Sequence, residues 1–303
     1  MGRGQKFILT IGILMIITVT ISVFFKDDIE YTVTTKKIEH LYSEINENDY
    51  FYEDHFEYVD NYEDVNLTSK TDIINSIYYI INSGETNAKR YCVKEYANCY
   101  NDINEIANNK ELLSNLNSFV HPYNSFDNIS FEFNDTVIDI TIEHAYTDED
   151  IKNINTIVND IINNSLKSSM STKDKIKIIH DYIIDNADYD TSYNPNNEYN
   201  KYKSNTAYGV LIQGYGICSG YSDAMAIFLD KLNIINYRIS NDKHIWNLVF
   251  IDGKWLHLDV TWDDPISDDN ITRDNYFLIN TKTLKNLNDG DHYYNPAVFV
   301  EAS

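Results

Sequence analysis

The stretch Gly209–Pro265 reads GVLIQGYGICSGYSDAMAIFLDKLNIINYRISNDKHIWNLVFIDGKWLHLDVTWDDP and holds many of the chain's scarce residue types. Four of the ten glycines lie between residues 209 and 220, and all three tryptophans follow further along the stretch. Cys218, His244 and Asp259 lie within it as well. In a chain rich in Asn, Asp, Ile and Tyr, this concentration indicates that the stretch decides the fold and carries the chemistry.

Cys218 is predicted to begin a buried helix. Glycines 214, 216 and 220 surround it in a tight turn, and the apolar residues that follow recur at helical spacing: Tyr221, Ala224, Met225, Phe228, Leu229 and Leu232. Unpaired backbone N–H groups and the helix dipole favour a thiolate at such a position and supply donors for an oxyanion. A cysteine that merely packs in a tight turn fits this pattern equally well.

Asp252-Gly253 predicts a two-residue β-hairpin loop between two alternating runs. The loop sets a register that pairs Trp246 with Asp259 and Leu248 with His257. One face then carries His244, Trp246, Trp255, His257 and Asp259, and the other carries the apolar set Ile245, Val249, Ile251, Leu256, Leu258 and Val260. In this register the Cα atoms of His244 and Asp259 lie roughly 7–8 Å apart, so the carboxylate can orient the imidazole.

Cys218, His244 and Asp259 together predict a nucleophile, a base and an orienting acid, as in a catalytic triad. Two alternatives stay open. His257 lies on the same face and can take the place of His244 in any role. A zinc site of Cys218, His244, His257 and Asp259 is the other alternative, but one cysteine without a Cys-x-x-Cys or His-x-x-x-His pair is a poor zinc pattern. We therefore predict no metal and no cofactor.

Three sequence blocks resemble the transglutaminase-like superfamily, a branch of the papain-like cysteine enzymes. They are Gly-x-Cys-x-Gly-Tyr at 216–221, His-x-Trp-Asn at 244–247 and Asp-x-Thr-Trp-Asp at 259–263, within a resemblance that covers roughly Ser171 to Pro265. It implies an α+β, cysteine-protease-like fold in which a helix-borne cysteine packs on an antiparallel sheet. It also implies Cys218 as nucleophile, His244 as its base and Asp259 as the third member, and it gives His257 no catalytic role.

Gln213, Trp246 and Asn247 are further candidates, for the oxyanion site or the pocket. Gln213 precedes the cysteine by five residues, which invites comparison with the oxyanion glutamine of papain-like enzymes, although the spacing differs by one. The sequence shows neither the flanking β-sandwich domains of animal transglutaminases nor a calcium-loop pattern. It resembles most the bacterial members of the superfamily that are membrane-attached or exported.

Residues 7–25 (FILTIGILMIITVTISVFF) carry no charge and follow Arg3 and Lys6. As a helix they would span about 28 Å, close to the thickness of a bilayer's hydrocarbon core. The basic residues before the segment predict a cytoplasmic N-terminus and an exported remainder. The segment ends without the small residues of a cleavage site, which favours an uncleaved single-pass membrane anchor over a signal peptide or a buried core helix.

The net charge of −23 argues against a nucleic-acid partner, because phosphates would be repelled. It mildly favours a cationic or lysine-bearing partner. Cys92 and Cys99 are a candidate disulfide if the compartment is oxidising, and small buried thiols are the alternative.

We divide the chain into residues 1–26 (cytoplasmic N-terminus and anchor), 27–145 (extracellular stalk and small α+β module) and 146–303 (transglutaminase-like domain). Upstream of the decisive stretch, the pattern predicts a helix from Ser69 to Gly84, a second from Asn101 to Leu116 and a hairpin from Ile129 to Glu143. Residues 188–206 are predicted to form a long polar loop that borders the site. His180, on a further amphipathic helix, is expected to be structural.

These observations predict a cell-surface enzyme that transfers acyl groups from protein or peptide amides through its thiol, either to an amine (cross-linking) or to water (peptidase or amidase). Its partners would be protein or peptide substrates of the cell envelope or wall. The alternative is a non-catalytic cell-envelope binding module that keeps the same fold.

Overall fold

The structure is a computed structural model that describes residues 48–52, 65–197, 199–264, 273–287 and 290–302. The predicted membrane segment 7–25, and much of the chain before residue 65, lie outside these ranges. No helix within them is both long enough and apolar enough to cross a membrane. The boundary between residues 145 and 146 stays a prediction.

The described N-terminal part consists of a four-stranded sheet and three α-helices. Its strands are β1 (Asn66–Leu67), β2 (Asn87–Cys92), β3 (Phe126–Phe133) and β4 (Val137–His144), in the order β1-β2-β4-β3. Its helices are α1 (Lys70–Asn82), α2 (Cys99–Ala107) and α3 (Lys110–Phe119), followed by a 3-10 turn (Pro122–Asn124). The β1-β2 pair is parallel, and the other pairs are antiparallel.

Two of the local predictions for this part are confirmed. The Ser69 side chain accepts a hydrogen bond from Asp72 N and caps α1, which ends before Gly84. Strands β3 and β4 pair as a hairpin, with Ile129 opposite Ile142.

The single helix predicted over residues 101–116 is wrong. Two helices, α2 and α3, replace it, because the Asn109 side chain accepts a hydrogen bond from Leu112 N and starts a new helix there. The apolar residues keep helical spacing across Asn108-Asn109, but the helix itself breaks at this pair.

Cys92 and Cys99 are joined by a disulfide, with Cα atoms 6.2 Å apart. The bond connects the last residue of β2 to the first residue of α2. Cys218 is the remaining cysteine and is a free thiol.

The C-terminal part places helices against a second, three-stranded sheet. Its helices are α4 (Asp148–Ser165), α5 (Thr172–Asn186), α6 (Cys218–Lys231) and α7 (Thr281–Leu287), and a π-helical turn spans Gly209–Gln213. The sheet is β7 (Asn236–Ser240), β8 (Ile245–Ile251) and β9 (Lys254–Leu258), all antiparallel, and a small parallel pair is formed by β5 (Asp188–Tyr189) and β6 (Tyr215–Gly216). Thr147 and Asp150 form a capping box at α4, and Ser171 caps α5.

The β8-β9 hairpin has the predicted register. Residues on the two strands pair from the turn out to Asn247 and Leu258. Asp252 and Gly253 both have positive φ, 50° and 76°, as a tight two-residue hairpin loop requires.

The ladder ends one residue before the predicted pair of Trp246 with Asp259. There the outer edge of β9 and the residue that follows it pair with another segment. Asp259 N donates to Tyr276 O, and His257 exchanges backbone hydrogen bonds with Ile279. Residues 276–279 thus cover this edge of the sheet and add side chains around Asp259 that the hairpin alone does not supply.

Both faces of this sheet are buried. One face joins a core with α4, α5 and α6, to which it contributes five of the six predicted apolar residues: Val249, Ile251, Leu256, Leu258 and Val260. The sixth, Ile245, is only half-buried and lies outside this core. The other face joins a core with α1, α2, α3 and β4, to which it contributes Tyr237, Ile239, Trp246 and Leu248. Each large apolar side chain so buried contributes about 1.5–3 kcal/mol to stability. The N-terminal part and the sheet that carries His244 therefore share one hydrophobic core.

A buried ion pair also connects these parts. Arg238 on β7 binds Asp223 on α6, and its second nitrogen donates to the carbonyl of Val120, 3.1 Å away. The Tyr146 hydroxyl donates to the same Asp223 at 2.6 Å. Because every member of this network has a partner, it ties α6, and with it Cys218, to the rest of the fold.

Candidate active site

Cys218 is the first residue of α6 and is partly exposed. The preceding Ile217 makes no side-chain cap, and its own N–H donates to Ser204 O at 2.8 Å. A Cβ at Gly220 would lie 2.4 Å from that same Ser204 oxygen, so the glycine lets the loop approach the helix start. Ser204, near the end of the predicted 188–206 loop, therefore lies against the helix start that carries Cys218.

His244 lies directly before β8, and its Nε2 is 2.5 Å from Asp259 Oδ2. The other carboxylate oxygen of Asp259 accepts hydrogen bonds from the backbone N–H groups of Thr261 at 2.9 Å and Trp262 at 3.2 Å. Asp259 is thus held by the turn that follows it, and it holds the imidazole in one orientation.

Cys218 is near enough to the His244 imidazole to contribute to its raised pKa. Because Nε2 is paired with Asp259, Nδ1 is the ring nitrogen that remains available to a thiol. Trp246 stacks on the ring with centroids 5.6 Å apart and planes 12° apart, and Trp262 meets it edge-on at 6.1 Å. The two indoles contact the imidazole from two directions and limit its rotation.

Electrostatics favours the charged forms of His244 and Asp259. Burial alone would lower the pKa of His244, but the charge and hydrogen bond of Asp259, together with Cys218, raise this pKa to about 10. Burial alone would raise the pKa of Asp259, but His244 and His292 hold this pKa well below its usual range. At neutral pH the pair is therefore an imidazolium and a carboxylate.

His257 is on the predicted face but belongs to a different network. Its Nδ1 accepts a hydrogen bond from Trp246 Nε1 at 3.2 Å, and its Nε2 lies 3.0 Å from Thr281 Oγ1. Burial, followed by the nearby His292 and Lys285, lowers its pKa to about 3. His257 is a neutral structural histidine that has no carboxylate partner among the described residues.

Gln213 and Asn247 have partners other than Cys218 and His244. Gln213 Oε1 accepts a hydrogen bond from Lys203 N at 2.8 Å, which fastens the loop before Cys218. Asn247 Nδ2 donates to Ser222 O at 3.0 Å and links β8 to α6. Of the three further candidates, Trp246 is the one that lies against His244.

Sequence reasoning missed His292, whose Nε2 is 2.7 Å from Asp259 Oδ2. It also missed Tyr189 on β5. Burial and then the charges of Cys218 and Asp259 raise the pKa of Tyr189. Tyr189 belongs to the Asp-Tyr-Asp run that opens the predicted 188–206 loop, whereas His292 has no motif around it.

His180, expected to be structural, is fully buried. Its Nε2 lies 3.1 Å from Asp263 Oδ2, and Asp263 Oδ1 accepts a hydrogen bond from Tyr276 N. The pair fixes the segment just after Asp259.

His244, Asp259 and His292 are the described residues whose ligand atoms cluster within 4.8 Å and so resemble a metal site. The contacts of Asp259 Oδ2 with the two imidazoles, at 2.5 and 2.7 Å, are hydrogen-bond distances. Ligands of a tetrahedral zinc ion, about 2.0–2.1 Å from the metal, are separated by roughly 3.3 Å. The two histidines are therefore spaced for hydrogen bonds with Asp259. The zinc alternative from the sequence also required Cys218 and His257, which are not part of this cluster.

A cysteine at a helix start, a histidine that interacts with it electrostatically and a carboxylate behind the histidine form the arrangement of a thiol triad. A family model described as the transglutaminase-like superfamily matches residues 159–260, which contain all three side chains. This part of the chain is therefore similar to the transglutaminase-like superfamily, as the three sequence blocks predict.

A search of curated proteins found no match. A solved structure titled "Crystal structure of a TGase" is similar at 15% sequence identity and a TM-score of 0.35, over 63% of this chain and 55% of that chain. This chain therefore spans little more than half the length of that protein.

Proposed function

We propose that this protein transfers acyl groups from protein or peptide amides through a thioester on Cys218. The observation that carries the proposal is the pairing of His244 Nε2 with Asp259 Oδ2 at 2.5 Å, in a site where Cys218 at the start of α6 also acts on the imidazole. The match of residues 159–260 to the transglutaminase-like superfamily supports the same class of chemistry.

The resting site differs in one respect from the sequence prediction, in which His244 first takes the thiol proton. With its pKa raised to about 10, His244 already carries a proton at neutral pH. The first proton transfer that involves His244 is then a donation to the departing amine. The attacking species in the proposal is the Cys218 thiolate, at the start of α6 and beside an imidazolium.

In the acylation step the Cys218 thiolate attacks the amide carbonyl carbon and forms a C–S bond, and the π electrons move to oxygen. Collapse of this intermediate breaks the C–N bond, and His244 gives its proton to the departing amine. The Cys218 backbone N–H, in the first turn of α6 where helices leave donors unpaired, is the proposed oxyanion donor.

In the second step neutral His244 accepts a proton from the attacking acceptor, and the thioester C–S bond breaks to return the thiolate. Water as acceptor completes hydrolysis, and a lysine amine completes a cross-link. The acidic surface implied by a net charge of −23 supports a cationic acceptor.

We also propose that the domain works outside the cell and is attached by residues 7–25. The chargeless run behind Arg3 and Lys6 supports this placement. Fractionation of cells that express the full chain, with protease added to intact cells, tests it. Recovery in the membrane fraction with loss of the C-terminal part to the protease is expected, and recovery in the soluble fraction would contradict it.

The chemistry is tested with the full chain and its Cys218→Ala variant. Iodoacetamide should alkylate Cys218 faster than a free thiol at pH 7, and mass spectrometry should find a thioester after incubation with a glutamine-bearing protein. Addition of a biotin-labelled alkyl amine separates transfer from hydrolysis. A Cys218 that reacts like a free thiol and forms no thioester with cell-envelope extract would reject the enzyme and favour a binding module with the same fold.

A further inference from the structure

Asp259 is shared by two histidines, and the triad uses only one of them. Oδ2 lies 2.5 Å from His244 Nε2 and 2.7 Å from His292 Nε2, while Oδ1 accepts the backbone N–H groups of residues 261 and 262. The carboxylate therefore has two donors on each oxygen. Hydrogen bonds to a carboxylate stabilise its negative charge. Each N–H donor to Asp259 therefore weakens the attraction of the carboxylate for the other donors.

The side chain of Asn241 fastens the two histidine segments together. Its Nδ2 donates at 2.6 Å to each of the carbonyls of Asp291 and Tyr293, the residues on either side of His292. Its Oδ1 accepts the backbone N–H of His244 at 2.9 Å. One amide thus sets the position of both imidazoles relative to Asp259.

Aromatic rings fix the His292 side chain from several sides. Tyr276 stacks on it with centroids 4.8 Å apart and planes 20° apart, and Trp246 and Trp262 meet its ring at 4.9 and 5.0 Å. The side chain is only 2% exposed. Because its ring is enclosed and its backbone is held by Asn241, His292 has a fixed position in the site.

We propose that His292 is a positioning residue that limits how much of the Asp259 charge acts on His244. Its N–H stabilises the carboxylate independently of His244, so His244 remains acidic enough to give its proton to the departing amine. Without that N–H, Asp259 would hold the His244 proton more tightly, and His244 would become a poorer acid. The inference rests on the proposed function only for its catalytic consequence.

Several titratable groups face the two histidines and belong to the same equilibrium. Cys218 on α6 interacts electrostatically with His244, and Asp259 contacts both histidines. His257 on β9 interacts electrostatically with His292, and Tyr189 on β5 with Cys218 and Asp259. The test therefore changes His292 and leaves these groups in place.

The decisive pair of variants is His292→Met and His292→Gln in the full chain. Their side chains have similar length, but glutamine keeps an N–H donor and methionine does not. Histidine-labelled NMR in a Cys218→Ala background reports the pKa of His244 without the thiol. We expect His292→Met to raise this pKa by roughly half a unit to one unit, and His292→Gln to return it close to the parental value.

The same pair in the chain with Cys218 intact should show the kinetic effect. We expect His292→Met to slow acylation by about threefold to tenfold, with most of the rate restored in His292→Gln. Equal pKa values of His244 in the two variants, or a lower value in His292→Met, would overturn the proposal. The NMR result stands even if Cys218 proves unreactive, so the two proposals fail separately.

Asn241→Leu provides a second route if His292→Met does not fold. Leucine has a similar size and adds no charge, and it loses the donors to the carbonyls beside His292 together with the acceptor for His244 N. It should raise the pKa of His244 in the same direction by a smaller amount. An unchanged or lowered pKa in this variant would count against His292 as a positioning residue.

Discussion

His244 and His257 lie on the same face of the same hairpin, and their surroundings give them opposite charge. His244 has a carboxylate on Nε2, and its pKa is raised to about 10. His257 has an indole N–H on Nδ1 and a threonine hydroxyl at Nε2, and its pKa is lowered to about 3. Both rings are buried, so the difference comes from their partners, and strand geometry alone does not decide which histidine is charged.

The largest expected contrast is in acyl transfer. His244→Asn removes the proton donor and acceptor and should reduce kcat by about a hundredfold to ten-thousandfold. His257→Asn keeps an oxygen near Nδ1 for the Trp246 N–H and should change kcat by less than about tenfold. Thioester formation on Cys218, followed by mass spectrometry, measures both. Equal losses in the two variants would remove the distinction between the histidines.

Asp259→Asn should bring His244 closer to the behaviour of His257. The amide removes the negative charge, so burial dominates and the pKa of His244 falls by several units from about 10. Acyl transfer near pH 7 should fall by about a hundredfold or more, because the imidazolium and the thiolate are no longer favoured together. An NMR titration of His244 in this variant that still gives a pKa near that of the parent would contradict the role of Asp259.

Stability should respond to acid through His257. Its folded pKa, about 3, lies below the ordinary value of 6.5, so its contribution is complete above pH 6.5 and is lost as the pH falls toward 3. The free energy of unfolding of the parent should therefore decrease more steeply between pH 6.5 and 4 than that of His257→Asn, by about 1–3 kcal/mol over this range. Urea unfolding at a series of pH values provides the measurement, and parallel pH profiles would show that His257 is not held neutral by the fold.

Trp246→Phe should give the smallest effect. Phenylalanine keeps a ring over His244 but removes the N–H that His257 Nδ1 accepts. The expected loss of stability is about 1–3 kcal/mol, because a buried acceptor is left unpaired, and the rate of thioester formation should change little. A large loss of rate without loss of stability would move Trp246 into the catalytic machinery.

Local sequence predicts the hairpin and the position of Cys218, but it does not predict which histidine is charged. Asp252-Gly253 needs positive φ at both residues, so the register of the hairpin and the proximity of His244 to Asp259 follow from the turn. Cys218 at a helix start follows in the same way from glycines and helical spacing. The choice of His244 over His257 came from the family resemblance, since the residues alone left both open.

What sequence reasoning missed depends on contacts between distant segments. His292 is 33 residues beyond Asp259, and Asn241 holds its backbone beside the site. Residues 276–279 cover the edge of β9 through backbone hydrogen bonds that carry no side-chain signature. The break between α2 and α3 at Asn109 was local, but a continuous apolar period concealed it.

The central claim is that one site holds a charged and a neutral histidine on the same hairpin face. A nitrogen NMR spectrum of the histidine-labelled full chain at pH 7, with the two rings assigned from His244→Asn and His257→Asn, tests it directly. The account predicts an imidazolium at His244 and a neutral imidazole at His257, protonated on Nε2, in the same sample. A neutral ring at His244, or a charged ring at His257, would contradict it.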